Sequence, residues 1–192
     1  MTYSKYSRLI LLFFFVTLQH SNLNIATNMN KLYALAISLL SLTASAQVQK
    51  NLGTDLSVLP AYEAAKTPYL TTSGTTIKDV ISYMKTNVQT NSVRVRLFIN
   101  PDNSAKDGSV QTLEYVTDLG KRIKDAGMSF LLDFHYSDWW ADPAKQNIPA
   151  SWAGHSYKRM KRDLADHTRE ILTMLREHDI TPRWVQVGNE IS

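Results

Sequence analysis

Residues 128–134 read Met-Ser-Phe-Leu-Leu-Asp-Phe, and this short apolar run decides the class of fold. A run of this length with a single charge in it is typical of a strand buried on both faces of a sheet. Apolar residues recur at helical spacing on both sides of it, over 113–126 before Gly127 and again over 157–175. A buried strand between two helices predicts β-α-β units and therefore a parallel sheet.

The same alternation of strands and helices continues outward in both directions. Residues 92–99 alternate apolar and polar side chains, which predicts a strand. Before them, residues 77–88 fit a helix, and residues 51–56 fit a first strand that leads into a turn at Pro60. Residues 184–187 are predicted as the last strand. The whole order is β-α-β-α-β-α-β.

Two architectures have this order: an open doubly wound sheet and a (β/α)₈ TIM barrel. No glycine-rich phosphate loop follows the first strand, so a dinucleotide-binding doubly wound fold loses support. A barrel takes about 250 residues, with about 200 as a lower limit. Segment 47–192 is shorter than that. We therefore expect an α/β chain with the N-terminal half of a (β/α)₈ barrel in residues 47–192, an incomplete barrel of about four β/α units.

Composition and charge exclude several classes of function. With 44% hydrophobic and 20% charged residues, the chain is an ordinary globular sequence. The formal net charge is +4, but Lys5, Arg8 and Lys31 stand in residues 1–46 without any acid, so the rest is nearly neutral. No nucleic-acid partner is indicated. Cysteine is absent, which excludes disulfides, a thiolate nucleophile and cysteine-ligated zinc.

The N-terminal region has the pattern of an export signal. Residues 29–31 supply a methionine and a positive charge, residues 32–42 are apolar, and residues 44–46 read Ala-Ser-Ala. We expect residues 1–28 to be a spurious extension and residues 29–46 a signal peptide. We therefore expect a secreted or periplasmic protein without a stable membrane anchor. The alternative is one long leader that includes a membrane-anchoring segment.

Polar side chains stand at the predicted carboxyl ends of three strands, where parallel α/β proteins build their sites. They are Arg94, Arg96, Asp133, His135, Asn189 and Glu190. Glu190 directly follows a strand, and burial there would raise its pKa, which suits a proton donor near neutral pH. The pattern equally allows Glu190 to form an ion pair with one of the two arginines.

Asp133 and His135 could also be two metal ligands on one strand face, with Asp138 as a third. We favour a hydrogen bond from His135 to a polar substrate or to Glu190, and we expect no metal. Four aromatic residues follow in a loop, and they fit a surface on which sugar rings stack or a small hydrophobic cluster within the loop. They are Tyr136, Trp139, Trp140 and Trp152.

The motifs resemble those of the endo-β-1,4-galactanases of glycoside hydrolase family 53. Residues 130–143 read Phe-Leu-Leu-Asp-Phe-His-Tyr-Ser-Asp-Trp-Trp-Ala-Asp-Pro, with Gln146 and a Pro-Ala-Ser-Trp at 149–152 beyond them. Residues 93–101 read Val-Arg-Val-Arg-Leu-Phe-Ile-Asn-Pro, and residues 185–191 read Val-Gln-Val-Gly-Asn-Glu-Ile. Gly-Thr-Asp-Leu-Ser, which begins at Gly53, is similar to the family's first strand.

The resemblance implies an endo-acting enzyme that hydrolyses the β-1,4-galactosidic bonds of type I arabinogalactan and pectic galactan with retention. Glu190 would be the general acid/base and Asn189 would bind the sugar 2-OH. The other substrate-binding residues would be Asp55, Arg94, Arg96, His135, Tyr136, Trp139 and Trp140. Asp138 and Asp142 would brace the loop. No cofactor is expected, although calcium occurs in loops of some members, and the full-length enzyme is expected to be a monomer.

A retaining enzyme needs a second carboxylate about 5–5.5 Å from the first, and the resemblance implies that it stands on the seventh strand. No acid before Glu190 occupies a matching position, so we expect the 192-residue chain to hydrolyse no galactan by itself. Two alternatives stay open: another retaining barrel hydrolase, such as a mannanase or a cellulase, and a non-catalytic secreted protein that binds galactan.

Overall fold

The computed structural model describes residues 50–102 and 108–191. The predicted extension at residues 1–28 and the predicted signal peptide at residues 29–46 lie outside the described residues. Within the described ranges, no helix has the length and apolar character that crossing a bilayer requires.

Four parallel strands form one sheet: β1 (Gly53–Asp55), β2 (Ser92–Phe98), β3 (Ser129–His135) and β4 (Trp184–Gln186). Their spatial order follows the chain, β1-β2-β3-β4. A doubly wound sheet reverses its strand order at a switch point, whereas a barrel adds each strand beside the last. The described residues therefore hold the first four strands of a (β/α) barrel, as predicted.

Helices connect the strands: α1 (Leu59–Ala64) and α2 (Val80–Thr86) precede β2, α3 (Leu113–Asp125) precedes β3, and α4 (Tyr157–Glu177) precedes β4. Side chains at three N-caps accept a backbone N–H of the first turn and fix where those helices begin. They are Asp79, Thr112 and Ser156. Helix α3 ends before Gly127, whose φ of +67° is easily adopted by glycine.

The structure differs from the sequence prediction in three helices. Helix α1 was not predicted, because Pro60 indicated a turn; proline is equally suited to the first turn of a helix, where it stands here. Helix α2 begins at Val80 instead of residue 77, because the side chain of Asp79 caps it. Tyr157 was placed on the apolar stripe of α4, but it is 76% exposed.

The sheet has two unlike faces, because successive side chains of a strand point to opposite sides. We call one the helix-covered face; its residues on β2 and β3 are buried apolar side chains, Val93, Val95, Leu97, Phe130, Leu132 and Phe134. We call the other the inner face. Near the carboxyl ends of the strands its residues are polar except for Phe98, and register places the polar ones side by side: Asp55, Arg94, Arg96, Asp133, His135 and Gln186.

Strand β4 is the outer strand of the described sheet. Val185 and Val187 are 37% and 53% exposed. Among the described residues β4 pairs with β3 alone. The side chains of β4 are therefore less covered than those of β2 and β3.

Candidate active site

A groove of about 360 Å³ lies at the carboxyl ends of β2, β3 and β4. Its floor comes from the inner face, one wall from the loop after β3, and the other from the segment after β4. The lining residues are Arg94, Arg96, Trp139, Trp140, Ala141, Asp142, Lys145, Asn189 and Glu190. The predicted residues at the strand ends thus meet at one place.

Arg94 connects three elements on the floor of the groove. Its Nη1 donates to Oδ2 of Asp55 at 2.6 Å, and its Nη2 donates to the Asp133 carboxylate and to Oδ1 of Asn189, the latter at 2.9 Å. Arg96 Nη2 lies 2.9 Å from the same Asp55 oxygen. Two arginines and two carboxylates therefore alternate across β1, β2 and β3, so that each charge has an opposite neighbour.

Asp55 is held as an anion. Burial by itself would raise the pKa of Asp55, but the hydrogen bonds from Ser57 and the charges of Arg96 and Arg94 outweigh it and lower that pKa. Burial lowers the pKa of Arg96, which the charge of Asp55 opposes. Asp55 does not line the groove; it supports the arginines from β1, and the sugar contact expected of it stays a prediction.

Asp133 and His135 are fully buried beneath the groove, with 0% of either side chain exposed. The backbone N–H of Ala141 donates to Nδ1 of His135 at 3.1 Å, so the ring proton is on Nε2. That nitrogen lies 3.3 Å from Oδ2 of Asp133. Direct contact of His135 with a sugar, expected from the sequence, is not what the structure shows, because the side chain is fully buried and Trp140 and Ala141 contact its ring.

Asp138 is not placed to complete a metal site with this pair. Its Oδ1 accepts the N–H of Asn100 at 3.1 Å and its Oδ2 accepts the N–H of Ala150 at 2.8 Å. Asp138 therefore braces the loop after β3, as expected. In residues 50–102 and 108–191, no three histidine, aspartate or glutamate side chains are grouped so that they could hold a metal ion.

The two neighbouring tryptophans of the loop have different surroundings. Trp140 lies edge-on to His135 and Phe98, with ring centroids 5.7 and 5.8 Å away, and the guanidinium carbon of Arg96 stands 4.5 Å from its ring centre. Trp139 lines the same groove but is 49% exposed. Trp139 therefore offers an open ring face, whereas Trp140 forms part of the groove wall.

Tyr136 does not reach the groove, which corrects its predicted role in substrate binding. It follows Phe134 by two positions and so points to the same, helix-covered side, where the two rings stack at 5.3 Å. Its hydroxyl is 2.7 Å from Oγ1 of Thr168 on α4. Trp152 lies on that side too, 6.3 Å from the ring of His167. Tyr136 and Trp152 therefore pack against β3 or α4 and not in a cluster within the loop, so neither predicted arrangement describes them.

Asn189 and Glu190 form the wall opposite the loop. The Asn189 side chain is buried and fixed, since its Nδ2 donates to the carbonyl of Ala141 at 2.6 Å while its Oδ1 accepts from Arg94. Glu190 lines the groove with an exposed side chain. Burial of Glu190 was therefore wrongly expected. The ion-pair alternative also fails in the described ranges, because Arg94 and Arg96 pair with aspartates instead.

The sequence analysis assigned no role to Lys145 or to Gln146, although Gln146 belongs to the motif that resembles the family. Lys145 lines the groove, and its Nζ lies 3.7 Å from Oδ2 of Asp142. Gln146 Nε2 donates to the carbonyls of Asp142 and Asn189, at 2.9 and 3.0 Å. Nothing in the spacing of these residues signals their contacts, because the bond to Asn189 joins positions far apart in the chain.

A parallel β/α sheet with an ionisable, tryptophan-lined groove at the carboxyl ends of its strands is typical of the class of (β/α)-barrel proteins, which build their sites at this face. The model of "Glycosyl hydrolase family 53" matches residues 51–192. The chain belongs to this family.

Individual relatives agree with the family match. The chain is 36% identical over 141 residues to an endo-beta-1,4-galactanase of Bacillus subtilis, and 34% identical over 157 residues to the arabinogalactan endo-beta-1,4-galactanase A of Emericella nidulans. These alignments cover 72% and 82% of this chain. A solved GH53 catalytic domain of Ignisphaera aggregans superposes with a TM-score of 0.68 at 34% identity over 77% of this chain.

The chain spans less than half the length of the proteins it matches. It covers 32% of the Bacillus subtilis protein, 42% of the Emericella nidulans protein and 41% of the solved Ignisphaera aggregans chain. The matched part therefore corresponds to one portion of a family 53 protein.

Proposed function

We propose that the protein carrying this chain is an endo-acting, retaining β-1,4-galactanase whose general acid/base is Glu190. The observation that carries the proposal is the position of Glu190 in the groove, directly after Asn189, whose amide is fixed by Arg94 and Ala141. The galactanase names of the relatives support the choice of a β-1,4-galactan such as that of arabinogalactan as substrate.

The proposed chemistry uses the exposed carboxyl of Glu190 first as an acid and then as a base. In the first step it gives its proton to the glycosidic oxygen as the bond from that oxygen to the anomeric carbon breaks and a second carboxylate bonds to that carbon. In the second step it takes a proton from the water that attacks the anomeric carbon, and the second carboxylate leaves. Asp55 and Asp133 are held by arginines, so we assign the nucleophile to a carboxylate outside the described residues.

We assign sugar binding to the groove residues Arg94, Arg96, Trp139, Trp140 and Asn189. The open ring face of Trp139 suits stacking against the apolar face of a galactose ring. The polar edge formed by Arg96 and Asn189 suits hydrogen bonds to hydroxyls. Asp133 and His135 would support this edge from below, because their side chains are buried.

We also propose that the protein is exported, with residues 47–192 as the portion of the mature enzyme seen here. The support is the signal-like sequence of residues 29–46, which ends in Ala-Ser-Ala. N-terminal sequencing of the protein recovered from outside the cytoplasm is expected to begin at Gln47. A mature N-terminus that begins well before residue 29 would support the anchored-leader alternative.

Hydrolysis of galactan by the protein expressed from its complete reading frame tests the assignment of Glu190. Glu190→Gln is expected to lower kcat on galactan by about 10²–10⁴-fold. An aryl galactoside with a strongly acidic phenol needs no proton donor to leave, so the first step on this substrate is expected to lose far less. Glu170→Gln, an exposed glutamate on α4, is the matched control and is expected to keep full activity.

Three outcomes contradict the proposal. Equal losses of kcat/KM, which reports the first chemical step, on galactan and on the activated galactoside would remove the acid role from Glu190. Faster hydrolysis of mannan or glucan than of galactan would indicate another barrel hydrolase. Binding of galacto-oligosaccharides without any hydrolysis would indicate a non-catalytic binding protein.

A further inference from the structure

The loop after β3 and the segment that carries Glu190 are joined through the backbone of Ala141. Its N–H donates to Nδ1 of the buried His135, and its carbonyl accepts from Nδ2 of Asn189. Ala141 is itself 3% exposed. A buried backbone group with both hydrogen bonds made is costly to displace. The loop is therefore fixed to β3 on one side and to the Asn189 side chain on the other.

Gln146 makes a second connection between the same two parts, through the backbone of Asn189. A carboxamide has two N–H donors. The Nε2 of Gln146 donates to the carbonyl of Asp142 at 2.9 Å and to the carbonyl of Asn189 at 3.0 Å. One acceptor lies in the loop and the other lies immediately before Glu190. Gln146 therefore bridges the two walls of the groove.

The carbonyl that Gln146 holds belongs to the peptide unit that ends at the Cα of Glu190. A peptide unit is planar. Fixing the direction of the Asn189 carbonyl therefore also fixes the plane that contains the N–H and the Cα of Glu190. Glu190 has a φ of +49°, a backbone conformation that residues other than glycine seldom adopt. The salt bridges found among the described residues do not include Glu190. Its direction thus depends on its backbone.

We propose that Gln146 is a positioning residue that sets the direction of Glu190 in the groove by holding the carbonyl of Asn189. The inference rests on the proposed function, in which Glu190 is the acid/base. A displacement of about 1 Å in a catalytic group can reduce a rate about 100-fold. The Gln146 side chain is exposed. Loss of its two hydrogen bonds is therefore expected to change the reaction more than the stability of the fold.

Gln111 offers a matched control within the same chain. Its Nε2 also donates to two backbone carbonyls, those of Ser57 and Gly108, each at 2.9 Å. Gln111 is fully buried and joins loops that do not carry Glu190. The substitutions Gln146→Leu and Gln111→Leu therefore remove the same pair of donors at two places.

Kinetics and thermal unfolding of both variants test the proposal in the protein expressed from its complete reading frame. Gln146→Leu is expected to lower kcat on galactan about 10–100-fold, with KM within about threefold of the wild type. Gln111→Leu is expected to lower Tm more than Gln146→Leu and to keep the wild-type kcat per folded molecule. Gln146→Glu has the shape of glutamine without its donors and should behave like Gln146→Leu.

Hydrogen–deuterium exchange of residues 184–191 gives a second measurement that does not need hydrolysis. The amides after β4 are expected to exchange at least about threefold faster in Gln146→Leu than in the wild type, with Gln111→Leu unchanged there. A wild type that hydrolyses no galactan overturns the proposed function, and exchange then still decides whether Gln146 holds this segment. Unchanged exchange in Gln146→Leu, or a kcat loss that merely follows Tm in both variants, overturns the role of Gln146.

Discussion

The two faces of the sheet are buried by different forces. On the helix-covered face, Val95 and Leu132 lose their contact with water by packing against apolar neighbours. On the inner face, Asp133 is equally inaccessible, but it is a carboxylate that depends on Arg94 for an opposite charge. The comparison teaches that burial of apolar side chains stabilises the helix-covered face. Pairing of opposite charges stabilises the inner face and also shapes the groove.

Removing one charge from the inner face is expected to have the largest effect on stability. Arg94→Met leaves the fully buried Asp133 without its ion-pair partner. Loss of one partner of a buried ion pair costs about 3–5 kcal/mol. The free energy of unfolding in urea measures this. A loss of unfolding free energy below about 1 kcal/mol, which is typical of surface ion pairs, would show that charge pairing does not stabilise the inner face.

A truncation on the helix-covered face is expected to cost somewhat less and to leave the chemistry intact. Leu132→Ala creates a cavity at a side chain with no exposure, at a cost of about 2–5 kcal/mol. Hydrolysis per folded molecule should match the wild type, because the side chain points away from the groove. Comparing Leu132→Ala with Arg94→Met at equal folded fraction separates stability from activity. A kcat loss in Leu132→Ala at full folding would contradict the separation.

Tyr136→Phe also tests the assignment of a side chain to the helix-covered face, and it removes only one hydroxyl. The variant loses the hydroxyl contact with Thr168 on α4, which is worth about 0.5–1.5 kcal/mol. Galactan hydrolysis is expected to be unchanged, because the ring stacks on Phe134 on the helix-covered side. Thermal unfolding and KM measure the two expectations. A raised KM at unchanged stability would return Tyr136 to the substrate groove.

The smallest expected effect is a dependence of stability on acid that comes from Asp55. The pKa of Asp55 is lowered in the folded protein, so its ion pairs stabilise fully above the ordinary aspartate pKa of about 3.9 and are lost as the pH falls through the lowered value. Asp55→Asn should be less stable than the wild type at pH 7. The difference should shrink below about pH 4.

Urea unfolding between pH 7 and pH 3 measures this dependence, with the exposed Asp118→Asn as control. A difference between Asp55→Asn and the wild type that stays constant across this range would show that the Asp55 charge does not contribute through its arginine partners.

The sequence predicted the order of strands and the parallel sheet because buried strands and amphipathic helices leave clear periodic patterns. Its errors at Pro60 and Asp79 have a local cause, since proline and aspartate suit both turns and the first turn of a helix. The exposure of β4 depends on which elements lie beside it, which periodicity does not encode.

The groove residues that stand at the ends of strands were predictable from the sequence. Arg94, Arg96 and Glu190 meet in the groove because the carboxyl ends of parallel strands share one edge. Tyr136 was misplaced because it stands next to groove residues in sequence, although alternation turns it to the other face. Gln146 was missed because its partner Asn189 is distant in the chain, and only folding brings the two together.

The different surroundings of the two neighbouring tryptophans have a spectroscopic consequence. The chain has four tryptophans, and Trp140 lies beneath the guanidinium of Arg96, against the edge of His135. Its emission is expected at shorter wavelength than that of the half-exposed Trp139, because its indole is more shielded from water. A sugar seated on Trp139 removes water from the more exposed of the two groove tryptophans. Occupancy of the groove is therefore expected to appear as a loss of long-wavelength emission.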